Sequence, residues 1–142
     1  MQKMKTNRAR VTGFTLIEVM VVVVILGILA SLVVVSVAGN TDKARVTAAR
    51  SDLSAIAQAL DLFKLDNFNY PSTDQGLEAL VHAPEGARNF PQGGYLKKLP
   101  VDPWGHPYQY FSPGSNGAFD LLSYGADGAE GGEGAAEDIV FQ

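Results

Sequence analysis

The chain has no cysteine, so no disulfide can support its fold even in an oxidising compartment. Charge is missing from a long stretch as well: Val19 to Thr41 contains no Asp, Glu, Lys or Arg, and nearly every side chain there is aliphatic or small. Histidine is scarce, and His82 and His106 stand apart from any metal-ligand spacing. No nucleophile elbow, phosphate-binding loop or paired-acid constellation occurs, so enzymatic activity is not expected. Internal repeats are absent too. Without disulfides, a polar domain of about a hundred residues needs another support, either a metal or packing against a long helix.

What is present is segregated. The 142 residues carry 11 basic and 15 acidic side chains, and every acid except Glu18 lies beyond the uncharged stretch. Lys3, Lys5, Arg8 and Arg10 put four positive charges in the first ten residues; without them the balance is 7 against 15, a net charge of −8. Such an acidic head excludes nucleic acid as an expected partner. The basic start belongs on the cytoplasmic side of a membrane, which sends the rest of the chain outward.

Val19 to Ala38 is long enough, at about 1.5 Å per residue, to cross a bilayer core as a helix of about 30 Å. The run Val21-Val22-Val23-Val24-Ile25 forms helix poorly in water, but lipid imposes one because every backbone group must be satisfied internally. An ordinary secretory signal peptide cut after Ser36-Val37-Ala38 is the competing reading. Against it stand an apolar stretch longer than the usual ~7–15 residues and a carboxylate, Glu18, at the start of that stretch.

Gly13-Phe14-Thr15-Leu16-Ile17-Glu18, placed after a short basic leader, resembles the processing site of type IV pilins and pseudopilins. The resemblance implies that a prepilin peptidase removes residues 1–13 by cutting after Gly13, then N-methylates the amine of Phe14. The helix of residues 14–38 stays in the mature protein as a transmembrane and assembly element, and residues 39–142 form the head. An ionised Glu18 inside hydrocarbon is costly unless paired. The free amine of Phe14 on a neighbouring subunit is the natural partner once subunits bundle, and that pairing would set axial register. The alternative role for Glu18 is a negative charge at a helix N-terminus.

The helix is expected to continue into the head. Val46, Ala49, Leu53, Ile56, Leu60 and Phe63 recur at spacings of three and four, one apolar stripe with Arg45, Arg50, Asp52, Asp61 and Lys64 largely off it. From Phe14 to about Asp66 such a helix is roughly 80 Å long, with Asn40-Thr41-Asp42 the expected bend or break. Pilin-like chains commonly carry a proline where this one has Val35, so no proline kink is expected there. Asn67 to Gly76 ends the helix. Ser72 or Thr73 is placed to cap a short helix over 75–81, and Pro84 to Gly94 is a loop. Tyr108 to Phe111 and Phe119 to Ser123 read as short strands of an antiparallel sheet, and Asp138 to Phe141 as a further short extended segment. The expected class is therefore α+β and pilin-like, a long N-terminal helix with a small antiparallel sheet packed on its outer half. Trp104 and Tyr108, between turns fixed by Pro103 and Pro107, are expected to pack against that helix.

Three further segments narrow the resemblance: Tyr70 to Leu80, Gly94 to Gly105, and Pro107-Tyr108-Gln109-Tyr110, followed by an acidic Gly-Ala-Asp-Gly ending. They resemble the major, G-type pseudopilin of type II secretion systems over essentially the whole mature chain. That resemblance implies a self-polymerising subunit inserted in the inner membrane, N-terminus cytoplasmic and head periplasmic, which builds a periplasmic pseudopilus. The implied partners are minor pseudopilins, prepilin peptidase, an inner-membrane assembly platform with its ATPase, and membrane lipid. A type IV pilus subunit and a soluble exported calcium-binding module released after Ala38 are the alternatives.

The same family carries a structural calcium in its C-terminal loop. Here Asp127, Glu130, Glu133, Glu137 and Asp138 sit among glycines and alanines with little apolar surface to bury. Oxygen donors on a flexible loop suit Ca²⁺. The resemblance assigns Asp127 and the backbone carbonyls of Tyr124 and Ala129 as ligands. Where the family has aspartates seven or eight residues later this chain has Gly134 and Ala135, so Glu133, Glu137 or Asp138 would have to substitute.

Overall fold

The computed structural model describes residues 13–115 and 117–142, with the backbone alone for residues 32–40. Helix α1 (Leu16–Asn67) is followed by strands β1 (Gln109–Phe111), β2 (Asp120–Ser123) and β3 (Ile139–Val140). Three short 3-10 turns, Leu77–Leu80, Gly125–Asp127 and Gly134–Ala136, lie between them. The chain divides into two units between Gly39 and Asn40. Asn40, Thr41 and Asp42, where the sequence pointed to a bend or break, are helical. The leader lies outside the described residues, while the backbone at Val35 is helical, in line with the missing proline kink.

In the second unit α1 buries the face that its periodicity marks. Ala49, Leu53, Ile56, Leu60 and Phe63 are buried and Val46 packs against them at the edge, while Ala57 and Ala59 widen the strip. Each fully buried leucine or isoleucine contributes about 1.5–3 kcal/mol of transfer free energy. The sheet supplies the opposite wall. Its order is β1-β2-β3, antiparallel throughout, and the facing pairs Tyr110–Leu121 and Ser123–Ile139 are buried together. Alternate residues of one face thus cover the helix, as the two-residue period of a strand requires. The strands are shorter than expected by one residue at Tyr108, at Phe119, and at each end of the third. Tyr108 instead reaches across to the helix, where its hydroxyl donates to Asp52 Oδ2 at 2.9 Å. Burial and that carboxylate push its phenol well above the ordinary tyrosine range.

Between helix and sheet the chain is held by the buried Leu77, Ala79 and Leu80 and by a set of polar ties. Ser72 and Gln75 form a reciprocal box: Ser72 N–H donates to Gln75 Oε1 at 2.9 Å and Gln75 N–H to Ser72 Oγ at 3.2 Å. The box closes a turn, and the helix expected over 75–81 is reduced to the 3-10 turn Leu77–Leu80 because Gly76, at φ 59, departs from helical geometry. The far end of α1 is latched by Asn67. Its Nδ2 donates to Phe63 O and Tyr95 Oη, and its Oδ1 accepts from Arg88 N–H at 2.9 Å. Tyr95 Oη donates to Asp66 Oδ2 at 2.8 Å, and burial together with that carboxylate raises its phenol to about 12. Gly94 (φ 76) admits no side chain, since a Cβ there would lie 2.8 Å from Leu80 O.

Candidate functional site

Two places in the structure hold the residues that the sequence singles out. The first is the start of α1. Thr15 caps it: the Thr15 carbonyl accepts from Glu18 N–H at 3.1 Å and from Val19 N–H at 3.3 Å, and Thr15 Oγ1 lies 3.3 Å from Glu18 N. Thr15 and Glu18 therefore stand in the spacing of a capping box, with Glu18 in the first helical turn. No cation is paired with the Glu18 carboxylate among the described residues. Gly13 is open, with nothing near the position a Cβ would occupy, and Phe14 is 83% exposed.

From Leu16 to Leu29 every large side chain is half or more exposed. A helix apolar on all sides is not stable in water by itself; it requires lipid or other helices around it. Among the described residues no helix is long and apolar enough to cross a membrane. The span expected over Val19 to Ala38 runs into residues 32–40, whose side chains are not described.

The second place is the loop between β2 and β3. Tyr124 precedes the turn Gly125–Asp127, and Asp127 Oδ1 accepts from Ala129 N–H at 3.1 Å. On the returning arm Asp138 Oδ2 accepts from Gly131 N–H at 3.0 Å. Its other oxygen, Asp138 Oδ1, is buried and has no hydrogen-bond partner among the described residues. Trp104 Nε1 is also buried without a partner among the described residues, but it is a donor and of no use to a cation. Glu130, Glu133 and Glu137 are exposed. Among the described residues no three His, Cys, Asp or Glu side chains gather closely enough to hold a metal ion. A cation here would rest on Asp127, Asp138, carbonyls such as those of Tyr124 and Ala129, and water, a set of oxygens that suits Ca²⁺.

Beneath this loop lies a polar cluster that the sequence did not reveal. Asp102 is 2% exposed, and its Oδ1 accepts from the N–H groups of Trp104 (3.1 Å) and His106 (2.8 Å). Its Oδ2 accepts from Ser123 Oγ at 2.7 Å, and Ser123 is fully buried. Asp102, Pro103, Trp104 and Gly105 form a turn closed by a 2.9 Å bond from Gly105 N–H to Asp102 O. An aspartate opening a proline turn is legible as such; its pairing with a serine 21 residues away is not. A Cβ on Gly128 would lie 3.0 Å from the His106 ring, and His106 Nδ1 lies 3.1 Å from Gly125 O.

Comparison with known proteins places these features in a family. The description "Type II secretion system (T2SS), protein G" matches residues 36–142, and "Prokaryotic N-terminal methylation motif" matches residues 8–34. Type II secretion system core protein G of Pseudomonas aeruginosa is 63% identical over 136 residues, covering 94% of this chain and 96% of that protein. The Vibrio cholerae protein of the same description is 57% identical over 141 residues, covering 98% and 94%. A crystal structure of the major pseudopilin from the type 2 secretion system of enterohaemorrhagic Escherichia coli superposes with a TM-score of 0.63 at 44% identity, over 72% of this chain and 90% of that one.

Proposed function

This chain belongs to the type II secretion system protein G family, the major pseudopilins, and from that premise we propose how its parts divide the work. As a member it is a structural component of a multi-protein secretion machinery, and the type IV pilus alternative is not favoured. In our reading, prepilin peptidase cuts after Gly13 and methylates Phe14. The apolar helix then anchors the subunit in the inner membrane with its head in the periplasm. Assembly on the inner-membrane platform, driven by its ATPase and joined by minor pseudopilins, moves the helix from lipid into a fibre of identical copies. The observation that carries this reading is the apolar surface from Leu16 to Leu29, exposed on every side and opening on a capped turn that presents Glu18.

The test is the intact mass of the chain purified from whole cells that contain the peptidase. The expected species begins at Phe14 and carries one extra methyl group. A chain beginning at Gly39 would overturn the reading, because an exported module released from a signal peptide would then be the product.

In the same reading the loop between β2 and β3 takes up Ca²⁺ through Asp127, Asp138 and the carbonyls of Tyr124 and Ala129, with Glu133 as a further carboxylate on the loop. The buried, unpartnered Asp138 Oδ1 supports it, since a desolvated carboxylate oxygen is unfavourable until something positive reaches it. The ion would contribute charge compensation that ties the two arms together. At a hundred times its dissociation constant Ca²⁺ should stabilise the Asn40–Gln142 unit by about 2.7 kcal/mol. A thermal melt in calcium and in chelator measures this, and Asp127→Ala should remove the difference. Identical melts for the unaltered chain would end the calcium assignment.

A further inference from the structure

Phe68, the first residue beyond α1, has φ 69, the only positive φ outside glycine among the described residues. Left-handed backbone at a helix end usually falls to glycine, because a side chain there is strained. Phe68 is nonetheless 68% exposed, and Leu65 beside it on the last turn is 73% exposed. The two border an open hollow of about 490 Å³ together with Asp61, Lys64 and Tyr70. The Arg88 guanidinium stands 5.6 Å from the centre of the Phe68 ring, so the ridge has a basic edge. Backbone strain combined with an aromatic turned to water marks a residue kept for a contact outside its own head.

A groove suited to such a ridge lies nearer the start of the same unit. Val46, Arg50 and Leu53 of α1 and Val140 and Phe141 opposite them line about 430 Å³, with Glu137 and Asp138 on the wall. Strand β3 is at the edge of the sheet, so no further strand covers that side. Arg50, Ser54, Asp61 and Leu65 recur at spacings of four, seven and four, which puts groove and ridge on one side of α1. Arg50 and Leu65 are roughly 20 Å apart along the helix.

We infer that the Leu65 and Phe68 ridge of one copy docks in the groove between α1 and β3 of the next. Ridge and groove are different surfaces of one chain, so the contact is heterologous. Each copy uses both, and repetition gives an open filament rather than a closed dimer. Charge favours a second copy as the occupant: Lys64 and Arg88 edge the ridge, whereas Glu137 and Asp138 edge the groove. The inference rests on the fibre reading above, which calls for repeated copies without saying which surfaces of the head meet.

The absence of cysteine makes the contact testable by cross-linking in sheared fibres. Leu65→Cys combined with Val140→Cys, treated with a short bismaleimide, should give a ladder of covalent dimers, trimers and longer multimers. Each single variant should stay monomeric, because it carries only one side of the contact. A dimer from Leu65→Cys alone, or its cross-link to a different protein in place of the ladder, would overturn the inference. Fibres of the double variant without a ladder would overturn the contact and leave the fibre reading standing. No fibres from the unaltered chain would overturn both. Phe68→Gly separates docking from folding. It relieves the backbone strain, so the full chain in detergent micelles should melt no lower than the unaltered one. Fibre yield should nevertheless fall at least about tenfold, as expected when an interface loses an aromatic anchor. A lower melting temperature with normal fibre yield would show that Phe68 serves its own head, and would overturn the inference.

Discussion

Glu18→Ala yields a subunit that is cut and methylated normally but forms few fibres. Glu18 follows the cut by a full helical turn, and the turn that carries it is held by Thr15 rather than by its own side chain. Processing should therefore survive the loss of the carboxylate. Assembly should not, because in a bundle of apolar helices the methylated amine of Phe14 would be left buried without its counter-charge. Removing one partner of a buried ion pair costs about 3–5 kcal/mol, a factor of more than about a hundred in an association constant at each interface.

Glu18→Gln distinguishes this from the milder role of a negative charge at a helix N-terminus. A glutamine keeps the size and spacing of the capping turn and loses only the charge. If the charge serves the helix alone, the loss is about 0.3–1 kcal/mol and fibres persist. If it answers the Phe14 amine, Glu18→Gln fails as Glu18→Ala does. Quantifying sheared fibres against the membrane-bound pool decides it, and a normal fibre yield from Glu18→Ala sinks the pairing.

The second large effect is expected in the head. Ile56 is 0% exposed at the centre of the helix stripe, whereas Leu62, six residues on, is 52% exposed. Truncation of either to alanine removes a similar aliphatic bulk from the same helix. Ile56→Ala should lower the stability of the Asn40–Gln142 unit by about 2–5 kcal/mol, since it combines lost transfer energy with a cavity beneath the sheet. That is a large share of the ~5–15 kcal/mol typical of a whole domain. Leu62→Ala should stay within about 0.5 kcal/mol. Urea unfolding followed by circular dichroism reads both, and equal losses at the two positions would show that the stripe is not what fastens sheet to helix.

That stripe was legible because it is local. A helix repeats every 3.6 residues, so Ala49, Leu53, Ile56, Leu60 and Phe63 announce their shared face without reference to anything they touch. The uncharged run after Glu18 and the first two short strands were legible for the same reason, since spacing and composition within a few residues define them; the Gly13-Phe14 junction was legible only as a resemblance to a family's processing site. Which segments close on one another was not. The sequence identified Asp127 and Asp138 as members of one acidic loop, but the seat that Gly125 provides for residues 135–137 appears only in the folded chain. The Asn67 latch onto Arg88 and Tyr95 appears only there as well, as does the pairing of Asp102 with Ser123. His106 looked isolated because its neighbours in sequence are not its neighbours in space. A buried polar group must find a partner once water is excluded, but its geometry and not its place in the chain chooses which one. Periodic burial leaves a trace in the order of residues, whereas a single hydrogen bond across twenty residues leaves none.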